Sequence, residues 1–236
     1  SAALIVLGLI SALVLPLATM IKDATPAPQT EINQSLGAAL NEAWHHSGFR
    51  LLAFGFFVCG FQVVFIGVHL PAYLGDHQLP VMAGGTVLAL VGLFHVAGPY
   101  IGGWLGERYS KPRLLSALYL AGAVVIVLFI SFPISIWSAY AFGMSMGLLW
   151  LSTVPLTNGT IATIFGVRNL SMLGGIVFLF HQIGSFLGGW LGGYLFDKTG
   201  SYDSVWYLSI VLSLVAAALN WPIREQAISR AQGAYS

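Results

Sequence analysis

Two histidines, His95 and His181, are the titratable side chains nearest the middle of the long apolar segments of this chain. Each begins a twelve-residue stretch, HVAGPYIGGWLG or HQIGSFLGGWLG, and the two stretches are identical at seven positions. An imidazole titrates near neutral pH, and an ionisable group inside a membrane is costly enough to be a functional candidate by default. The pattern therefore marks both histidines as candidates for binding a small molecule or a proton. The alternative is a neutral histidine that bonds a carbonyl across a helix interface.

A second set of polar side chains lies within the apolar segments and suits a small-molecule site. Such sites combine apolar walls with a few polar anchors. Each member of the set is also compatible with a packing role or an interhelical hydrogen bond. The candidates are Gln62, Trp150, Thr153, Thr157 and Asn158.

Glycines follow each histidine at helical spacing. At about 100° per residue, each group falls on one narrow stripe of a helix. Small residues four apart let a neighbouring backbone approach closely in lipid, so we expect helix-packing surfaces that permit rocking. Static tight packing is the alternative. The stripes are His95, Gly98, Gly102 and Gly106 in one segment and His181, Gly184, Gly188 and Gly192 in the other.

The sequence lacks the residues that metal binding, phosphate binding and serine hydrolase chemistry require. Neither histidine has a cysteine or a carboxylate near it in the sequence, so no metal site is predicted. The sequence has no phosphate-cradling loop, Walker sequence or GxSxG elbow. We therefore expect no cofactor and no enzyme activity. The net charge of +1 also argues against nucleic acid as a partner.

The composition is that of a membrane protein. Only 7% of the 236 residues are charged, and the mean hydropathy is +0.84, whereas soluble domains average about 25% charged residues. Seven apolar segments approach or exceed the roughly 20 residues that a membrane-spanning helix needs. They run over 2–21, 49–74, 82–106, 114–132, 136–162, 170–196 and 204–222.

Basic residues and loop lengths predict how these segments are arranged. Residues 22–48 are the one long polar connection, and we expect a cytoplasmic loop with a short interfacial helix that carries Trp44 at headgroup depth. With that loop inside, eight of the nine Lys and Arg residues are cytoplasmic, and only Lys198 is outside. Residues 223–236 are then a cytoplasmic tail.

The last six segments divide into two triplets, and each histidine-glycine stripe occupies the middle segment of its triplet. Short connections make sequential helices antiparallel, so the two middle segments run in opposite directions. Inverted repeats with a binding site between them are a building principle of secondary transporters.

The stretch GWLGERYSKPRLL, at 103–115, resembles the signature cytoplasmic loop of the major facilitator superfamily, G-x-L-x-D-R-x-G-R-K-x-x-L. A glutamate stands where the family has aspartate, and a serine replaces the second glycine. The resemblance implies a conformational-switch loop. The residues that it assigns to this loop are Gly103, Leu105, Glu107, Arg108 and Lys111.

Two further stretches, FRLLAFGFFVCGFQVVFIGVHLPAYL at 49–74 and GYLFDKTGSY at 193–202, are similar to the bacterial monocarboxylate-porter-like group of that superfamily. The resemblance implies that residues 1–21 are the last helix of a missing N-terminal half. Residues 49–222 would then be the six-helix C-terminal half of a twelve-helix transporter. The best-known monocarboxylate porters carry an arginine before a proline in the eighth helix, whereas Gly98 precedes Pro99 here.

We therefore interpret the chain as an all-α membrane protein with seven transmembrane helices, the last six forming two inverted three-helix repeats. The expected function is secondary active transport of a small organic solute by alternating access, with this chain a fragment. Expected partners are a small-molecule substrate such as an organic anion, a coupling proton, the lipid bilayer and the missing N-terminal half. The expected location is the bacterial inner membrane, with a cytoplasmic C-terminus. A heptahelical receptor or a non-transporting scaffold is the alternative.

Overall fold

The computed structural model describes residues 35–228 and the single position Ala12. The rest of the predicted helix at 2–21, the linker at 22–34 and the tail at 229–236 lie outside the described residues. Between residues 35 and 228 the chain forms helices and no strand. This confirms the all-helical prediction for that part of the chain.

Six of the described helices are long and apolar enough to cross a membrane. They correspond in order to the last six predicted spans, and a shorter helix precedes them. The helices are α1 (Leu36–His45), α2 (Ser47–Asp76), α3 (Val81–Gly106), α4 (Lys111–Ser131), α5 (Ile136–Phe165), α6 (Leu170–Thr199) and α7 (Asp203–Asn220).

The short helix α1 is amphipathic. It begins after Ser35, whose hydroxyl oxygen accepts a hydrogen bond from the amide of Ala38 at 3.3 Å, as an N-cap serine does. Ala39 and Ala43 are buried, whereas Trp44 is 42% exposed. One face of α1 is buried and the other is exposed, as in a helix that lies along a surface. The depth of α1 in the membrane stays a prediction.

Most of the spanning helices are a few residues longer than the predicted spans, because backbone hydrogen bonding continues beyond the apolar core of a helix. α5 extends to Phe165, where Gly166 with φ of 83° ends it. α6 extends to Thr199, where Gly200 with φ of 70° does the same. Glycine adopts a positive φ without the steric cost that a Cβ atom would add.

The closest helix pairs do not follow the order of the chain. α3 packs most extensively against α5, and α2 packs most extensively against α6, while α4 packs against both α5 and α7. Within each predicted triplet, successive helices such as α3 and α4 make few contacts. The bundle is therefore held together by interactions between the two predicted triplets.

Contacts at the helix ends fix which ends lie together. Phe49 at the start of α2 meets Phe165 at the end of α5, with ring centroids 5.7 Å apart. Lys111 at the start of α4 pairs with Glu225, which follows α7, at 3.0 Å. We call this end of the bundle the lower end. The opposite, upper end brings Tyr73 of α2 to within 6.1 Å of Phe129 of α4, measured between ring centroids.

The core consists of two clusters of apolar side chains, one toward each end of the bundle. In the upper cluster, Trp206 is 1% exposed and lies against the rings of Phe65, Phe129 and Phe142. In contrast, α3 and α6 are the least enclosed of the spanning helices. They leave large side chains exposed, among them Tyr100 and Trp104 on α3 and Phe186 and Trp190 on α6.

Candidate functional site

His95 lies on the α3 surface that faces α5. Its ring centroid is 6.2 Å from that of Trp150. The Nε2 atom of His95 and the indole Nε1 atom of Trp150 are both buried without a hydrogen-bond partner in the described structure. Since buried polar groups are normally satisfied, these two nitrogens remain available to a group that is not part of residues 35–228.

His181 occupies the corresponding place on α6 but has a different environment. Its ring stacks on Phe178, with centroids 5.2 Å apart and planes 7° apart, and lies 4.9 Å from the ring of Phe56 on α2. Its Nδ1 atom is 3.3 Å from Gln182 Oε1 and 3.4 Å from the Ser185 hydroxyl. This imidazole therefore lies among aromatic rings and neutral polar groups.

The glycines of the α3 stripe form the contact with α5. A Cβ atom added at Gly98 would lie 2.5 Å from the carbonyl oxygen of Leu148, and one added at Gly102 would lie 2.9 Å from that of Ser152. The fit is mutual, since a Cβ atom at Gly147 of α5 would lie 2.6 Å from the carbonyl oxygen of Val91. Distances this short show two helix backbones in direct contact, as small residues permit in membranes.

The glycines of the α6 stripe form an equally close contact with α2. A Cβ atom at Gly184 would overlap the carbonyl oxygen of Phe57, and one at Gly188 would overlap that of Phe61. On the other side of the interface, a Cβ atom at Gly60 would overlap the carbonyl oxygen of His181. At the two stripe ends, Gly106 lies against the Leu156 side chain and Gly192 lies against the His69 ring.

Hydroxyl groups reinforce both glycine contacts. Ser152 Oγ lies 2.7 Å from the carbonyl oxygen of Gly98 and 2.6 Å from that of Leu148, so its one proton is shared between two helices. Ser185 Oγ donates to the carbonyl oxygen of Gly60 at 3.3 Å. The sequence reasoning missed Ser152 and Gly60, since neither belongs to the repeated stretch.

Gln62 lies at a helix contact rather than in an open space. It is 2% exposed, and its Nε2 atom donates to the Ser209 carbonyl oxygen at 2.9 Å and to the Ser213 hydroxyl at 2.6 Å. These bonds join α2 to α7. Gln62 also lines a small recess of about 10 Å³ together with Trp150 and Thr153, a volume close to that of one water molecule.

Thr157 and Asn158 line a larger cavity. It has a volume of about 430 Å³ and lies between α2, α5 and α6 in the lower half of the bundle. Phe56 and Phe178 form part of its wall. The structure therefore divides the predicted polar set in two: Gln62 and Thr153 lie in the interior with Trp150, and Thr157 and Asn158 border an accessible cavity.

The predicted switch loop lies at the lower end of the bundle. The Arg108 guanidinium lies 4.1 Å above the Trp104 ring and donates to the Trp104 carbonyl oxygen at 3.1 Å. Glu107 is exposed. A Cβ atom at Gly103 would have open space around it, and Leu105 is partly buried.

Lys111 is the member of that loop with the most specific contact. Its Nζ atom pairs with Glu225 Oε1 at 3.0 Å, and its backbone amide donates to Glu225 Oε2 at 3.0 Å. Glu225 thereby caps the first turn of α4, where a carboxylate is favoured by the helix dipole. Sequence reasoning missed Glu225, because a single charge 114 residues from its partner leaves no local signal.

Residues 221–228 are thus more than a tail. Ile223 is 6% exposed and approaches Gly48, while the amide of Ile228 donates to the carbonyl oxygen of Ile164 at 3.0 Å. This segment, which we call the lower strap, contacts α2, α4 and α5. No cluster of three or more His, Cys, Asp or Glu residues that could hold a metal occurs in the described residues.

Comparison with known families agrees with this arrangement of apolar spans. Residues 1–158 match the model of the Major Facilitator Superfamily, and this is more than half of the chain. The chain belongs to the major facilitator superfamily. It is therefore an integral membrane protein of a family of membrane transporters, and its six described spans are long and apolar enough to cross the membrane.

Individual relatives point to the same family. The MFS-type transporter YcxA of Bacillus subtilis is 28% identical over 177 residues, which cover 72% of this chain and 42% of YcxA. Monocarboxylate transporter 11 of Homo sapiens is 29% identical over 235 residues, which cover 88% of this chain and 46% of the relative. The Mus musculus protein of the same name is 27% identical over 225 residues. This superfamily member thus spans less than half the length of each of these relatives.

Proposed function

We propose that this chain is the C-terminal half, with one preceding helix, of a secondary transporter that moves a small organic solute by alternating access. The substrate would bind between the two halves, and rocking of the halves would expose it to each side in turn. The supporting comparison is that the chain aligns with less than half of each relative's length. The family match gives no support to a heptahelical receptor or a scaffold.

The observation that carries the proposal is the symmetry of the glycine contacts. The middle helix of the first triplet, α3, packs on the first helix of the second triplet, α5. The middle helix of the second triplet, α6, packs on the first helix of the first triplet, α2. A two-fold axis in the membrane plane would exchange these two pairs, as expected for inverted repeats. The repeated His-xx-Gly-xxx-Gly pattern occupies equivalent positions in both pairs.

We assign the lower end of the bundle to the cytoplasm. Of the Lys and Arg residues between 35 and 228, only Lys198 belongs to the upper end. The others lie at the helix ends and connections of the lower end, where the positive-inside rule places such an excess. The C-terminus would then be cytoplasmic. We further propose the bacterial inner membrane as the location.

We assign substrate or proton binding to His95 and His181, with Trp150, Thr153, Thr157 and Asn158 as further members of the site, and we assign Gln62 to the contact between α2 and α7. The unpartnered nitrogens of His95 and Trp150 support this assignment, because a solute or water could satisfy them. The switch-loop role of residues 103–111 is supported by the Lys111–Glu225 pair, which ties the loop to the end of the chain.

A flux measurement tests the proposal. The complete gene product is reconstituted in proteoliposomes and tested with a panel of small organic acids, amides and alcohols, with and without a pH gradient. Saturable uptake of at least one solute is expected. Liposomes that hold only residues 1–236 are the matched control and should show none, because half of the cavity wall is missing. Uptake by the control, or no uptake of any solute by the complete protein, contradicts the proposal.

A further inference from the structure

The cavity of about 430 Å³ between α2, α5 and α6 is lined by both polar and apolar residues. Its size falls in the range of about 300–1,000 Å³ typical of small-molecule pockets. Its polar lining comes from Thr157, Asn158 and Ser171, and the remaining lining residues are apolar or glycine. All the residues that line the cavity belong to the described six-helix bundle.

Thr157 is the polar residue in this wall whose hydroxyl is buried and unused. It is 3% exposed, and its Oγ1 atom has no hydrogen-bond partner in the described structure. The other three threonines of α5 each donate to a carbonyl oxygen three or four residues earlier, at 2.6–2.8 Å. Those threonines are Thr153, Thr160 and Thr163. Because a buried hydroxyl normally finds a partner, the exception at Thr157 indicates a group supplied from outside the described residues.

The cavity wall carries no fixed charge. Lys, Arg, Asp, Glu and His are all absent from the residues that line it. Transfer of an unpaired carboxylate or ammonium into such a site is strongly unfavourable, whereas an amide or a hydroxyl needs only hydrogen-bond partners. The wall therefore favours an uncharged ligand that can both donate and accept hydrogen bonds.

Two aromatic rings make the apolar part of the wall suitable for a planar group. The rings of Phe56 and Phe178 have centroids 6.5 Å apart and planes inclined by 46°. Behind them, the His181 ring stacks on Phe178 and approaches Phe56, which holds both rings in place. Gly174 keeps the cavity open beside Asn158, because a Cβ atom there would lie 3.1 Å from the Asn158 Oδ1 atom.

We propose that this cavity is a binding subsite for an uncharged aromatic amide or alcohol, held by Thr157 and Asn158 and packed against Phe56 and Phe178. The assignment of this ligand class to a transported solute rests on the proposed transport function. The binding of the ligand does not depend on the transport function, because all of the residues that form the subsite belong to the described bundle.

Benzamide and benzoate are matched probes, since they have nearly the same shape and differ in charge at neutral pH. Their binding to the detergent-solubilised chain is measured by ligand-observed saturation-transfer NMR and titration calorimetry. Saturable benzamide binding is expected, with benzoate at least about 10-fold weaker. Equal affinity for the two probes, or no saturable benzamide binding at millimolar concentration, overturns the subsite.

Variants locate the binding. Thr157→Val removes the unpartnered hydroxyl without a change of shape, and benzamide affinity should fall by about 3- to 10-fold. Thr163→Val is the control, because that hydroxyl already donates to Gly159 and lies outside the cavity. Equal effects of the two variants overturn the proposal.

A second pair of variants does not depend on Thr157. Gly175 lines the cavity and has open space around it, so Gly175→Leu should abolish benzamide binding by filling the site. Gly92→Leu adds the same side chain in open space on α3 and should leave binding unchanged. Unaltered binding in Gly175→Leu overturns the subsite. If benzamide binds as expected but the complete protein moves no solute, the transport proposal fails and the subsite stands.

Discussion

Single glycines determine how closely the paired helices approach. Gly184 and Gly188 lie against the backbone of α2, and Gly98 and Gly102 lie against that of α5. In lipid the helices gain little from hydrophobic burial, so backbone proximity and dispersion must hold them together. A methyl group at one of these positions separates two backbones, whereas a methyl group at a glycine with open space does not.

Gly184→Ala should therefore destabilise the bundle by about 1–3 kcal/mol, the usual cost of overpacking a close contact. Gly67→Ala is the control, because a Cβ atom at Gly67 meets nothing within 4 Å, and alanine is the better helix former by about 1 kcal/mol. Thermal unfolding of both variants in the same detergent measures the difference. A melting temperature for Gly184→Ala at or above that of Gly67→Ala would show that the α2–α6 contact is less close than described.

The two histidines are tested together, because both are assigned to the same proposed role. If they bind a coupling proton, the double variant His95→Gln, His181→Gln should remove the dependence of transport on external pH in the complete protein. His77→Gln is the control, since its Nδ1 atom bonds the carbonyl oxygen of Tyr73 within its own helix end. An unchanged pH profile in the double variant would exclude the proton role.

Among the elements, the lower strap at 221–228 connects helices that are distant in sequence. Glu225 bonds both the side chain and the amide of Lys111, and Ile228 bonds the end of α5. The strap therefore links the predicted switch loop to two other helices. Hydropathy alone could not reveal this, because residues 223–236 read as a polar segment after the last span.

Glu225→Gln should loosen this end of the bundle. It removes the charge of a half-buried pair and weakens the cap on α4, at a cost of about 1–2 kcal/mol. Glu107→Gln removes an equivalent charge from an exposed residue that forms none of the described ion pairs. The rate of tryptic cleavage at the lower end and the thermal unfolding temperature are measured for both variants. Glu225→Gln should be cleaved faster and unfold at a lower temperature than Glu107→Gln. The same cleavage rate in both variants would mean that the strap does not hold the loop.

At the scale of the whole molecule, the spans and the glycine faces were predictable, and the partners of those faces were not. Apolar length identifies each membrane helix, and helical periodicity identifies the stripe that contains Gly98 and the one that contains Gly184. Which helix packs against a stripe depends on long-range geometry, so the α3–α5 and α2–α6 pairs required the structure. The sequence around Gln62 does not distinguish a side chain that lines a cavity from one that contacts α7, which is what the structure shows.

Sidedness in the membrane is the most direct test of the opposed triplets. In a Cys59→Ser background, single cysteines are introduced by Ser110→Cys, after α3, and Ser201→Cys, after α6, and each is labelled in intact cells or oriented vesicles with a membrane-impermeant thiol reagent. We expect only Ser201→Cys to react from outside, and Ser110→Cys to react once the membrane is opened. Labelling of both positions from the same side would contradict the inverted arrangement and remove the main support for transport by alternating access.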